Sequence, residues 1–227
     1  MALSSTWDSY ARRTPARRHG PPPAFSWTPH PGHGPGTKLL EVGRGAAVLE
    51  LGCGKGDRLA ALAALGVRPV GVDISAVQVA AAATRWGSTV EVHQADALHF
   101  LSHTSDYYDA VYSAFGAHWF TDPDVLLPAI RERLRPGGTL VLAHLPPGDR
   151  IEPDEPTVVR STLAMVLRWE GEAHQWASLL RHHGFVAPSA CAILPPHGAR
   201  TERTVVLRSR VPARPPRTAQ GTTTPAT

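Results

Sequence analysis

Apolar positions follow two alternating rhythms between residues 46 and 209. Short apolar or alternating runs at 46–51, 69–72, 89–93, 108–113 and 139–144 predict β-strands. Helical stretches fall between them. Residues 58–65 are rich in Ala and Leu, and Ser75 suits the N-cap of a helix running to Ala83. Asp122 suits the cap of a helix with Pro123 in its first turn, running to Leu134. Arg135-Pro136-Gly137-Gly138 breaks that helix. Residues 157–183 read as helix in two pieces parted near Gly171, and two β runs follow at 186–194 and 204–209. Alternating apolar strands and helices define an α/β fold. It is doubly wound, with a seven-stranded, mostly parallel sheet and helices on both faces. Such sheets bind ligands beyond the carboxyl ends of their strands. That directs attention to Gly52–Asp57, Asp73, Asp96 and Ser113–Phe120.

Composition narrows the class. The chain has 227 residues, 42% apolar and 19% charged, with mean hydropathy −0.16, as in ordinary globular proteins. No apolar run approaches the ~20 residues of a bilayer span, so no membrane role is expected. Two cysteines, Cys53 and Cys191, without a CxxC pair, argue against disulfides and structural metal. Residues 1–20 lack an apolar leader core, and a cytoplasmic protein is expected. Three regions differ in texture. Residues 1–36 are rich in Pro, Gly and aromatics, 37–210 carry the βα pattern, and 211–227 have almost no apolar content and are expected to be disordered.

The net charge of +4 raises the question of nucleic acid. Residues 1–40 contribute about +4 and residues 200–227 about +5, which leaves the middle near −5. The excess lies on Pro-rich ends and not on a folded face, which argues against a nucleic-acid partner.

The most informative stretch is Glu50-Leu51-Gly52-Cys53-Gly54-Lys55-Gly56. A strand enters a turn with glycines at 52, 54 and 56, where the missing Cβ atoms admit close backbone approach to a ligand. A dinucleotide fingerprint would place its third glycine at position 57, which is Asp57, and no P-loop spacing exists. A pyrophosphate would meet Asp57 near a helix N-terminus, an electrostatic conflict. Asp73 stands 17 residues after Gly56, at the end of the next strand, where a carboxylate accepts from ribose hydroxyls. Asp96 follows the third strand. These pieces read as a nucleoside site without phosphates.

In this set of motifs the chain resembles the class I S-adenosylmethionine-dependent methyltransferases, whose sheet is Rossmann-like. ELGCGKG stands at their glycine motif, VDIS and ADAL at their acidic motifs. YDAVYSAFGAHWF follows as the fourth strand, LRPGGTLVLAH leads into the fifth, and Gly184-Phe185 precede the sixth. The resemblance covers residues 37–210 and implies S-adenosylmethionine as cofactor. It implies that Gly52, Cys53 and Gly54 pass under the methionine portion, with Glu50 behind the loop orienting the cofactor. Asp73 would hold the ribose, Ile74 would lie against the adenine, and Asp96 and Ala97 would meet the adenine edge. The backbone near Ser113 would take the ammonium.

Methyl transfer needs position and desolvation, and a base only where the nucleophile is protonated. His118 is the expected base or acceptor contact, because its loop follows the fourth strand. The alternative is that it packs under the next helix. His144, Phe115 and Trp119 are further acceptor-side candidates. The aromatics of residues 1–36 suggest a lid, with Tyr10, Trp27 and His33 as its site residues. Asp149, Glu152, Asp154 and Glu155 offer an acidic acceptor wall, or a solvated loop. The leading expectation is methyl transfer to a small molecule, by a monomer or homodimer. The Arg-, Ala- and Pro-rich style is similar to that of actinobacterial natural-product enzymes of secondary metabolism. A nucleic-acid methyltransferase is the second reading, but Ser113-Ala114-Phe115-Gly116 is not the motif of base-directed relatives. A non-catalytic cofactor-binding scaffold is the third.

Overall fold

Strands form where the apolar runs lie. The computed structural model describes residues 3–14, 20–146, 157–160 and 165–213. Strands β1 (Ala47–Leu51), β2 (Arg68–Asp73), β3 (Glu91–Gln94), β4 (Tyr108–Ala114) and β5 (Leu134–His144) pair in parallel. Past a two-strand hairpin, β6 (Thr157–Arg160) and β7 (Met165–Arg168), come β8 (Val186–Ile193) and β9 (Thr204–Arg210). The main sheet has seven strands in the order β3-β2-β1-β4-β5-β9-β8. β9 runs antiparallel to both neighbours, so the sheet is mostly parallel, as the alternation predicts. The strand order reverses between β1 and β4, and their carboxyl ends flank the crevice where such folds bind ligands.

Six α-helices accompany the strands among the described residues: α1 (Leu3–Arg13), α2 (Asp57–Ala64), α3 (Ala76–Trp86), α4 (Ala97–His103), α5 (Pro123–Arg133) and α6 (Ala173–His182). Ser75 caps α3 by accepting from Gln78 N–H, and Asp122 caps α5 by accepting from Asp124 N–H. Strand alternation divides the core. Leu49, Leu51, Val111, Leu140 and Leu142 pack with Trp176 and Phe185 on one face. Val48, Ala110, Tyr112, Val141 and Ala143 pack with Phe25, Trp27 and Leu40 on the other. Glu50 lies on that second face by the same alternation, fully buried.

Two expectations are corrected, and one helix adds to them. Among the described residues of 157–183 stand the paired strands β6 and β7 and a single helix, α6, in place of the two helices expected. Val158-Val159 and Met165-Val166-Leu167 are short apolar runs that fit either period, and β-branching favours strand. Residues 3–13 form a helix, because the Pro- and Gly-rich composition begins only at Pro15. The paired chain also runs past 210: Val211 is buried and donates its N–H to Gly138 O, and Pro212 O accepts from Gly137 N–H. Residues 214–227 lie outside the described residues.

Candidate active site

The carboxyl end of β1 opens into the glycine turn. Gly52 sits at φ +81°, and the N–H groups of Gly52 and Cys53 both donate to Val72 O, at 2.8 and 3.0 Å. A Cβ on Gly52 would lie 2.6 Å from Ala117 N, and one on Gly116 would lie 2.5 Å from Leu51 O. The turns after β1 and β4 therefore touch backbone to backbone. Ser113 ties them further, donating its Oγ–H to Leu51 O at 2.7 Å and accepting from His118 N–H at 3.3 Å.

Asp73 ends β2 with both carboxylate oxygens held. Gly54 N–H donates to Oδ2 at 2.8 Å and Ser75 N–H to Oδ1 at 2.9 Å. Burial pushes its pKa up, and these two donors pull against that shift. Each oxygen keeps acceptor capacity for a ligand. Asp96 caps α4, its Oδ1 accepting from Leu98 and His99 N–H at 2.9 and 3.2 Å.

These groups share one cavity of about 250 Å³. Its floor carries Gly52, Cys53 and Gly54, and its acidic side carries Asp73, Ile74, Asp96 and Ala97. Phe115, Phe120 and Thr121 bound it after β4, and Trp7 and Tyr10 of α1 cover it. α1 is anchored at several points. Asp8 Oδ1 accepts from Ser75 Oγ–H at 2.6 Å and from Val77 N–H at 3.2 Å, and Trp7 packs edge-on to Phe120 at 4.6 Å. Lys55 Nζ donates to Thr14 O. Hydrogen bonding to Ser75 and Val77 holds Asp8 below the usual carboxylate range.

Glu50 stands behind the floor and does not line the cavity. Its Oε2 accepts from Tyr112 O–H at 2.9 Å, while Oε1 has no hydrogen-bond partner and lies 3.8 Å from Arg58 Nη1. Burial pushes its pKa up to about 7, against the opposing pull of Arg58 and of the Tyr112 bond. Burial likewise pushes the Cys53 thiol up, which makes Cys53 an inert loop residue.

The acceptor-side expectations divide. Tyr10 and Phe115 line the cavity; Trp27, His33, His118, Trp119 and His144 do not. The 3-10 turn Ala117–Trp119 carries the His118 ring under the loop, where it is 1% exposed. Its Nε2 lies 3.1 Å from His144 Nδ1, and both rings neighbour Trp176. Burial pushes His118 well below the usual imidazole range and His144 to about 4, so both are neutral. The His118 ring therefore packs against His144 of β5 and Trp176 of α6, and it does not line the cavity. Trp119 stacks beside His144, with the Arg168 guanidinium 4.3 Å from its ring. Trp27 is a core residue, fully buried against Phe25 and Tyr112, with its indole N–H donating to Gly36 O at 2.6 Å. His33 supplies a carbonyl to Ser26 Oγ–H at 3.0 Å, and its ring lies 6.3 Å from His30. Asp149, Glu152, Asp154 and Glu155 lie outside the described residues.

Sequence reasoning missed Arg58, Gln78 and Asp8. Arg58 had a signal, since it falls in the first turn of α2 directly after the glycine loop. Trp7 and Tyr10 share a face only once residues 3–13 are known to be helical.

Comparison with known proteins agrees with this geometry. Residues 48–138 match a family described as "Methyltransferase domain". Trans-aconitate 2-methyltransferase of Deinococcus radiodurans is 33% identical over 99 residues, covering 43% of this chain and 37% of that protein. An uncharacterized protein of a Synechococcus species is 29% identical over 151 residues, covering 62% of this chain and 36% of its own. The chain thus spans little more than a third of the curated relatives it matches. Among solved structures, the 1,6-didemethyltoxoflavin-N1-methyltransferase of Burkholderia thailandensis superposes with TM-score 0.59 at 22% identity, covering 78% of this chain and 76% of that one. A protein solved in work on conversion of a disulfide into a thioacetal during echinomycin biosynthesis superposes with TM-score 0.62 at 18% identity, covering 92% and 93%. The strand order and the glycine turn are those of the fold these methyltransferase structures share, and the matched segment spans that turn. The chain is thus similar in fold to S-adenosylmethionine-dependent methyltransferases of known structure, and in sequence to a methyltransferase domain over residues 48–138.

Proposed function

We propose that the chain transfers a methyl group from S-adenosylmethionine to a small-molecule acceptor. One observation carries this reading: Asp73, its two oxygens oriented by Gly54 and Ser75, faces a cavity whose floor is the glycine turn. That is a cradle for a nucleoside without phosphates, and the residues present fit the cofactor. When bound, the cofactor supplies an electrophilic methyl on a sulfonium, with a neutral thioether as leaving group.

The chain's own part is to bind, orient and exclude water. Asp73 accepts from the ribose hydroxyls, Ile74 packs on the adenine, and Asp96 and Ala97 meet its edge. Gly52, Cys53 and Gly54 let the methionine portion approach the backbone, and Glu50 stiffens that floor from behind through Tyr112. The ammonium is held at the backbone of the turn beginning at Ser113. α1 acts as a lid, with Trp7 and Tyr10 desolvating the reacting atoms. His118 and His144 support the turn after β4 from beneath.

The acceptor class is drawn from the neighbours, one solved with bound 1,6-didemethyltoxoflavin and S-adenosylhomocysteine, another from echinomycin biosynthesis. A natural-product acceptor in secondary metabolism is the corresponding reading here. It belongs with a cytoplasmic monomer or homodimer. Among the described residues, no helix is long and apolar enough to cross a membrane. The test is a calorimetric titration with S-adenosylhomocysteine. Micromolar binding is expected, weakened by about 1–3 kcal/mol in Asp73→Ala. No heat in the unaltered chain would refute the cofactor assignment.

A further inference from the structure

The lining of the cavity divides by charge. Its charged side chains, Arg58, Asp73 and Asp96, stand at or just after the ends of β1, β2 and β3. The other wall is built from α1 and the turn after β4, by Trp7, Tyr10, Phe115, Phe120 and Thr121. That wall presents four aromatic side chains and, among the described residues, no charged one. A charged group desolvated against it gains no ionic partner there to offset the cost.

Two features set these rings apart from ordinary packing. The first is orientation. The Trp7 ring stands at 65° to Phe120, with centroids 4.6 Å apart, and at 81° to Tyr10, at 5.9 Å. Crossed rings form a corner in which a flat molecule faces one ring while its edge meets the other. Tyr10 is 49% exposed although it lines the cavity, so its ring is open to an incoming molecule. The second is strain. Phe115 sits at φ +55°, in the left-handed region that a bulky residue seldom occupies. Its N–H donates to Ala143 O at 2.8 Å, so the end of β5 holds the main chain of the turn in that conformation. Glycine would carry the same backbone without the cost. An aromatic side chain kept there in spite of the strain, on a cavity wall, marks a ring that a ligand uses.

We infer that the methyl acceptor is a flat, uncharged aromatic molecule, held by its ring against Trp7 and Phe115. This rests on the methyltransferase reading above. The nucleoside takes the charged part of the lining, and the acceptor takes the aromatic part. The hydroxyls of Tyr10 and Thr121 suit polar substituents at the rim of such a ring. Trp7 and Phe115 are then the residues that set acceptor shape, and flatness is the property they select.

The test is calorimetric, on the full chain saturated with S-adenosylhomocysteine, with matched probes. Naphthalen-2-ol is flat and uncharged. Decahydronaphthalen-2-ol has the same skeleton and hydroxyl without the aromatic plane. Naphthalene-2-carboxylate and 2-naphthylmethylammonium are flat and charged, one of each sign. Naphthalen-2-ol is expected to bind about tenfold more tightly than any of the other three. In Phe115→Gly and in Trp7→Leu its lead over the saturated alcohol should shrink to about threefold. Titration of each variant with S-adenosylhomocysteine shows that its site is folded. Glycine adopts the φ of position 115, so Phe115→Gly keeps the turn and decides alone should Trp7→Leu not fold. Equal binding of the two alcohols, tighter binding of a charged probe, binding of no probe, or a lead unchanged in the variants overturns the acceptor class and leaves the cofactor reading standing. No binding of S-adenosylhomocysteine by the unaltered chain overturns both.

Discussion

Glu50 makes the stability of this protein fall as pH rises. Its carboxyl is fully buried, with one oxygen accepting from Tyr112 O–H and the other without a hydrogen bond, 3.8 Å from Arg58 Nη1. Its pKa moves from 4.5 to about 7 on folding. Between those values the folded chain keeps a proton that the unfolded chain releases. The contribution is fully present below pH 4.5 and is lost as pH rises through about 7. A shift of that size corresponds to about 3 kcal/mol. Glu50→Gln keeps the shape and an acceptor for Tyr112 while removing the titration. Urea unfolding at pH 4.5 and pH 8 reads the effect as the difference between the two proteins. That difference should move by about 3 kcal/mol in favour of the variant at the higher pH. With m near 2 kcal/mol/M, this is about 1.5 M in the urea midpoint. The buried histidines drive stability the opposite way with pH, but they are common to both chains and drop out of the difference. A difference that stays flat with pH would refute the reasoning, because Glu50 would then ionise as an ordinary exposed carboxylate.

Other outcomes follow from the same geometry. His144 falls from 6.5 to about 4 on folding, so its contribution is present above pH 6.5 and lost as pH falls through about 4. His144→Phe should lose less stability than the unaltered chain between pH 6.5 and 4.5 in urea titrations, and equal acid slopes would count against a buried neutral ring. Asp8→Asn weakens the hold of α1 on Ser75 and Val77. S-adenosylhomocysteine should then leave about three- to tenfold faster, a modest factor because Asp8 is solvent-screened. Stopped-flow tryptophan fluorescence would follow the release, and an unchanged rate would separate α1 from ligand exchange.

The centre of the parallel sheet was legible because β1 and β4 are buried along nearly their whole length. β1, β2 and β4 fall within one residue of their expected starts, and Ser75 and Asp122 cap the helices assigned to them. The positions carrying Gly52, Asp73 and Asp96 were legible for a related reason: the ends of parallel strands converge, and strand ends are marked by a change from apolar to polar residues. The hairpin at 157–168 was not, since a four-residue apolar run has no resolvable period. His118 shows a different limit. Chain position placed its backbone beside the site, but the direction of its ring depends on a single 3-10 turn. Arg58 escaped notice although it stands directly after the glycine turn, because the carbonyl that tethers it belongs to Ser26, 32 residues away in the chain.

The seam between Gly52 and Gly116 restricts how this site can diversify. A methyl on either residue would strike main-chain atoms of the opposite turn at 2.5–2.7 Å, with no side chain able to swing aside. Neither position has a compensating partner, since enlarging both only deepens the collision. The gap between the two turns is thus a fixed gauge, closed to gradual adjustment by substitution. A descendant of this chain that takes a different ligand must reshape the pocket from its movable walls, at Phe115, Phe120 and the aromatic face of α1, while the seam stays as it is.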